Sequence, residues 1–135
     1  MLRFLLDTNI CIYVLKNRPQ ELRSRFNQRA SQLCISSIVL SELMYGAEKS
    51  SRPDENLARL ESFCARLEVL PYDDNAAAHF GQIRADLERR GEIIGAYDLM
   101  IAAHARSRGL VLVTNNEKEF RRVEGLVVEN WLVRG

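Results

Sequence analysis

The apolar positions of the chain fall into two rhythms. Short unbroken runs occur at Phe4-Leu5-Leu6, Leu33-Cys34-Ile35, Val69-Leu70, Leu110-Val111-Leu112-Val113 and Leu126-Val127-Val128. Runs of this length, bounded by polar or turn residues, predict strands buried on both faces. Between them apolar residues recur every three or four positions, the period of a helix packed on one side. Ile10, Cys11, Val14 and Leu15 predict a helix from Thr8 to about Lys16. Asn17-Arg18-Pro19 ends it, and Pro19 opens a second helix to about Arg29. Val39, Leu40, Leu43, Met44 and Ala47 predict a third from about Ile38 to Lys49, and Leu57, Leu60, Phe63 and Leu67 a fourth from Pro53. After a strand at 68–70, Asp73 and Asp74 start a long fifth helix carrying Ala77, Phe80, Ile83 and Leu87. A sixth runs from about Ala96 to Arg108 and stops at Gly109. The segment from Asn115 to Phe120 reads as a turn and a short helical piece.

Strands alternating with helices imply an α/β fold, with a mostly parallel sheet covered on both faces. With 135 residues and no repeat, linker or low-complexity tract, the expectation is a single α/β/α domain spanning 1–135.

Composition narrows the function classes. The hydrophobic (47%) and charged (27%) fractions are those of an ordinary globular protein. No apolar stretch approaches membrane-spanning length, and the N-terminal run is broken by Asp7 and Asn9, so a cytoplasmic protein is expected. The three cysteines, Cys11, Cys34 and Cys64, are scattered among apolar neighbours. That spacing suits buried small hydrophobes rather than a disulfide framework or a zinc site. His79 and His104 fall on separate predicted helices, which gives a histidine-based site little support. There is no glycine-rich phosphate cradle followed by Lys-Ser/Thr.

The acidic residues change the picture more. The first strand ends abruptly in Asp7-Thr8-Asn9. Asp7 either caps the next helix or stands in the crevice that open α/β sheets form at the carboxyl ends of their strands. Asp98 shares a helical stripe with Ile101, Ala102 and Ala105, so it is either an N-terminal helix charge or a carboxylate on a buried face. Glu42 lies in the largely apolar stretch from Ser36 to Gly46. Thr114, Asn116 and Glu119 follow the strongest strand. Four separate segments thus bring carboxylates toward one sheet edge, where like charges repel unless cations intervene. Oxygen-only ligands select hard ions, Mg²⁺ or Mn²⁺, which drive phosphoryl transfer by activating water and stabilising the leaving oxygen. Net charge is +1, so neutralising those carboxylates leaves a basic remainder suited to a polyanion. Arg23, Arg25, Arg29, Arg84, Arg89, Arg90, Arg106, Arg108, Lys118, Arg121 and Arg122 are candidates for such a rim.

Taken together, Leu6-Asp-Thr-Asn-Ile10, Ser37-Ile-Val-Leu-Ser-Glu-Leu43 with Gly46, Gly95-Ala-Tyr-Asp-Leu-Met-Ile-Ala-Ala103 and Val113-Thr-Asn-Asn116 with Phe120 resemble the signatures of PIN-domain ribonucleases. Specifically, they resemble the VapC toxins of bacterial toxin–antitoxin pairs. The resemblance implies a Mg²⁺-dependent endoribonuclease with Asp7 and Asp98 as principal metal ligands and Glu42 binding or orienting water on the metal. Thr8, Asn9 and Thr114 would fix those carboxylates. It further implies cleavage of tRNA in the anticodon stem-loop, initiator tRNA included, inhibition by a VapB-type antitoxin, a homodimer, and a larger hetero-oligomer with the antitoxin. The chain departs from the family at Asn116, where Asp is frequent, and Glu119 is the candidate substitute. The alternative is a catalytically weak PIN-fold module that binds RNA or a partner; a DNA-directed or flap-type nuclease is a third. An apolar surplus at Ile38, Met44, Tyr45, Leu57 and Phe63 is expected to mark partner surfaces.

Overall fold

The computed structural model describes residues 1–17 and 19–132. Arg18, in the break expected at 17–19, lies outside them. Its neighbour Asn17 turns the chain with a φ of 58°, a left-handed conformation that asparagine tolerates.

The apolar runs become five strands: β1 (Phe4–Leu6), β2 (Leu33–Ser36), β3 (Glu68–Leu70), β4 (Val111–Val113) and β5 (Val128–Glu129). The helices are α1 (Thr8–Leu15), α2 (Gln20–Gln28), α3 (Ser37–Glu48), α4 (Pro53–Cys64), α5 (Asp74–Arg90), α6 (Ala96–Ser107) and α7 (Glu117–Phe120). The strand order is β3-β2-β1-β4-β5. Every pairing is parallel, so the sheet is parallel throughout rather than mostly so. β1 is central, and Phe4, Leu5 and Leu6 are all buried, which is why this strand carries no alternation.

From β1 the chain first moves outward through β2 and β3, then returns to the other side of β1 for β4 and β5. The direction of winding therefore reverses between β1 and β4. In open parallel sheets such a switch point leaves a crevice at the carboxyl ends of the two strands. Asp7 follows β1 and Thr114 follows β4, so both stand at that crevice.

α6 is buried nearly all round: Leu99, Ile101, Ala102, Ala103, His104 and Ala105 are inaccessible. Its small side chains let α5 close against it. Gly109, at a φ of 64°, ends α6 in a left-handed turn in which Leu110 N–H donates to Ala105 O at 3.0 Å. That bond withdraws Leu110 from β4. A 3₁₀ turn at Ala30–Gln32 was not legible in the apolar pattern. The last strand begins at Val128, not 126, because Gly125 (φ 80°) and a Leu126 N–H to Val123 O bond of 3.4 Å extend the preceding turn. The expected apolar surplus is also smaller: Phe63 is core, stacked on Phe26 at 5.4 Å, and Ile38 and Leu57 are half-buried. Met44 and Tyr45 do stand exposed.

Candidate active site

Asp7 does two jobs at once. Its Oδ1 accepts the backbone N–H of Ile10 at 2.9 Å and caps α1. Its Oδ2 accepts from the Thr114 hydroxyl across the switch point. The Asp7 N–H donates to Val113 O at 3.0 Å, keeping β1 joined to β4 up to this residue. Thr114 Oγ1 in turn accepts from Asn116 N–H at 2.9 Å. The carboxylate is 4% exposed and its rotamer is set from both sides. Capping and crevice placement, alternatives in the sequence, are the same structure. Asn9 is exposed, and it is its backbone N–H that bears on Asp7.

Glu42 projects from the middle of α3 and accepts the Thr8 hydroxyl at 2.6 Å. Thr8 therefore orients Glu42, tying the start of α1 to α3. Glu119, on α7, accepts from Asn116 Nδ2 at 3.0 Å. Among the described residues no arginine neutralises it: Arg121 pairs with Glu117 at 2.6 Å, and Arg122 donates to the carbonyls of Glu92 and Ile93 at 3.5 and 3.2 Å.

Asp98 is the exception. Gly95 caps α6 without a side-chain bond, and Asp98 sits in the first turn making no hydrogen bond or ion pair with any described residue. It is half-buried. Burial first, then the charges of Glu119, Asp7 and Glu42, push its carboxyl up to about 6. The Asp7 carboxyl is also raised, mainly by burial; the Thr114 and Ile10 hydrogen bonds oppose the shift and Glu42 adds to it. Thus Asp7, Glu42, Asp98 and Glu119, from four segments, act on one another electrostatically.

Among the described residues no three acidic, histidine or cysteine side chains are drawn together tightly enough to enclose an ion unaided. The chemistry of the donor set nevertheless fits a hard divalent cation. All donors are carboxylate oxygens, they repel one another, and no described residue gives Asp98 a counter-charge.

Two features escaped sequence reasoning. Ser36, the cap of α3, shares a 2.8 Å hydrogen bond with His104 of α6, so the helices carrying Glu42 and Asp98 are braced beneath the site. Burial lowers the His104 pKa, which keeps the brace neutral. Asn115, between Thr114 and Asn116, has a buried Oδ1 with no hydrogen-bond partner among the described residues. Neither leaves a sequence signal, because a buried histidine and a turn asparagine are unremarkable types at those positions.

The PIN-domain family matches residues 4–126 of this chain. A tRNA(fMet)-specific endonuclease VapC of Salmonella typhimurium is 60% identical over 131 residues, covering 97% of this chain and 99% of that protein. A ribonuclease VapC2 of Haemophilus influenzae is 56% identical over 132 residues, covering 98% and 100%. Among solved structures, DNA-bound VapBC from Salmonella typhimurium superposes with a TM-score of 0.94 at 60% identity, over 97% of this chain and 99% of that one. VapBC2 from Rickettsia felis, bound to a promoter fragment, gives 0.91 at 40% identity, over 96% and 99%. The chain belongs to the PIN-domain family and, within it, to the VapC ribonucleases.

Proposed function

We propose that this protein is the toxin of a toxin–antitoxin pair, a Mg²⁺-dependent endoribonuclease that cuts tRNA in the anticodon stem-loop, initiator tRNA being the favoured substrate. The whole chain, residues 1–135, acts as one PIN unit. The observation that carries this reading is Asp98, a half-buried carboxylate with no donor and three like charges acting on it or near it. A protein gains nothing from such a group unless a cation or a cationic ligand occupies the crevice.

Asp7 and Asp98 would hold the ion, and a divalent cation there would supply a polarised nucleophilic water and neutralise charge on the scissile phosphate. Asp7 binds in one orientation only, because Ile10 N–H and the Thr114 hydroxyl have fixed both its oxygens. Glu42, steadied by Thr8, would orient the attacking water. Glu119, steadied by Asn116, supplies the charge that Asn116 lacks. The preference for tRNA(fMet) follows the Salmonella relative, a tRNA(fMet)-specific endonuclease, and the VapB-type partner follows the solved VapBC complexes. A groove of about 320 Å³ beside Glu42, floored by Ile12, Leu15, Leu43, Ala47 and Leu60, suits an amphipathic antitoxin segment.

Purified protein incubated with total tRNA and Mg²⁺ is expected to produce one set of new RNA ends within the anticodon stem-loop, abolished by EDTA. Cleavage unaffected by chelation, or ends spread over unrelated RNAs, would contradict the reading.

A further inference from the structure

The basic rim expected from the sequence is largely committed elsewhere. Arg84, Arg89, Arg90 and Arg121 are ion-paired along their own helices. Arg106 donates to His79 and Gln82, and Arg122 to backbone carbonyls. Uncommitted cations gather instead at the opposite edge of the sheet, where β1 begins and α2 ends. Arg3 and Arg29 both lie over the Phe4 ring, with Cζ 5.1 and 5.2 Å from its centroid. Arg25 lies over Trp131 at 5.7 Å, and Trp131 meets Phe4 edge-on at 5.1 Å. The two rings are buried, while all three arginines are exposed.

None of these guanidiniums has a carboxylate within ion-pair distance among the described residues. The nearby acids are Glu129, whose Oε1 is taken by the Trp131 indole N–H at 3.0 Å, and Glu21, one turn before Arg25 on α2. Stacking on a ring fixes a guanidinium plane and leaves its fork of N–H donors outward, the geometry that suits phosphate. Three such forks set on one aromatic pair repel one another. An anion relieves that repulsion.

We propose that Arg3, Arg25 and Arg29 form a second anion-binding site that grips the phosphodiester backbone of the RNA substrate away from the bond that is cut. The proposal rests on the nuclease reading above for the identity of the anion. Arg3 and Asp7 lie at opposite ends of the buried central strand β1, about 13 Å apart at ~3.3 Å per residue, so RNA held at both must pass around the body of the domain. A whole tRNA has arms that extend beyond the cut loop, and the site therefore selects size and fold where the acidic crevice selects the bond.

The test compares full-length tRNA with its isolated anticodon stem-loop. Binding is measured in EDTA against salt, for the parent, for a triple variant Arg3→Gln, Arg25→Gln, Arg29→Gln, and for the corresponding triple Lys variant. Removing three phosphate contacts is expected to weaken full-length tRNA about tenfold at ~0.1 M salt and to flatten the slope of log Kd against log salt by about 2–3. Binding and Mg²⁺-dependent cleavage of the stem-loop should stay at the parent's values, and the Lys variant, which keeps the charge without the stacked fork, should bind tRNA more weakly than the parent and more tightly than the Gln variant. Equal weakening of both RNAs, an unchanged salt slope, or a Lys variant as weak as the Gln variant overturns the second site. So does loss of antitoxin affinity with tRNA binding intact. If the parent cuts neither RNA, the nuclease reading fails, and the binding comparison still decides the second site.

Discussion

At the scale of single residues, Asp98 gives the stability of the metal-free protein a pH dependence. Its folded pKa, about 6, lies above the ordinary carboxyl value of 3.8. Between those values the folded state holds more protons than the unfolded one, so stability falls as pH rises through that window. The penalty is fully present at neutral pH and absent below about pH 4. Asp98→Asn removes it. In EDTA near neutral pH the variant should be more stable than the parent by about 1–2 kcal/mol, a figure discounted for partial exposure. Near pH 4 the two should melt together. The same variant should lose RNA cleavage. Thermal unfolding of both proteins at the two pH values checks this, and a stability gap independent of pH would place the strain elsewhere.

At the scale of elements, the site depends on what each element's end presents. α1 is capped by Asp7, α3 is joined to α1 through Thr8 and Glu42, and α7 starts at Asn116 and returns Glu119 toward Asp98. On one turn of helix, Asn116 and Glu119 share a single negative charge. Glu119→Gln should therefore cut cleavage strongly at limiting Mg²⁺, and adding Asn116→Asp to it should recover part of the loss by restoring charge nearby. Titrating Mg²⁺ for the single and double variants separates this from a surface role. Parent-like cleavage by Glu119→Gln at low Mg²⁺ would remove α7 from the chemistry.

At the scale of the whole molecule, α3 presents Met44 (46% exposed) and Tyr45 (66% exposed) on its outer side, with Lys49 held 4.9 Å from the Tyr45 ring. Adjacent exposed large side chains on a helix suit a second copy of the chain. A homodimer, expected from the family likeness, is predicted to form through this face. Sedimentation is expected to give a dimer for the parent and a monomer for Met44→Glu with Tyr45→Glu. A double variant that still dimerises would move the interface to another surface.

What the amino-acid order determined alone was the alternation of strands and helices, the all-apolar character of β1, and the polar residues at each strand's end. These are local consequences of periodicity and turn chemistry, so they survive without any partner in space. Asn116 and Glu119 were also legible, three residues apart on one turn. Their isolation from Arg121 and Arg122 was not, because rotamers follow competing partners such as Glu117 and the Glu92 carbonyl. The crevice itself was decided only in three dimensions. Asp7 and Thr114 are 107 residues apart and meet because the winding reverses between β1 and β4. The same long-range pairing set Thr8 on Glu42 and His104 under Ser36. It also gathered Arg3, Arg25 and Arg29 around Phe4 and Trp131, a grouping that no spacing along the chain encodes. Contacts between distant segments depend on strand order, and strand order is fixed by how the core is buried as a whole.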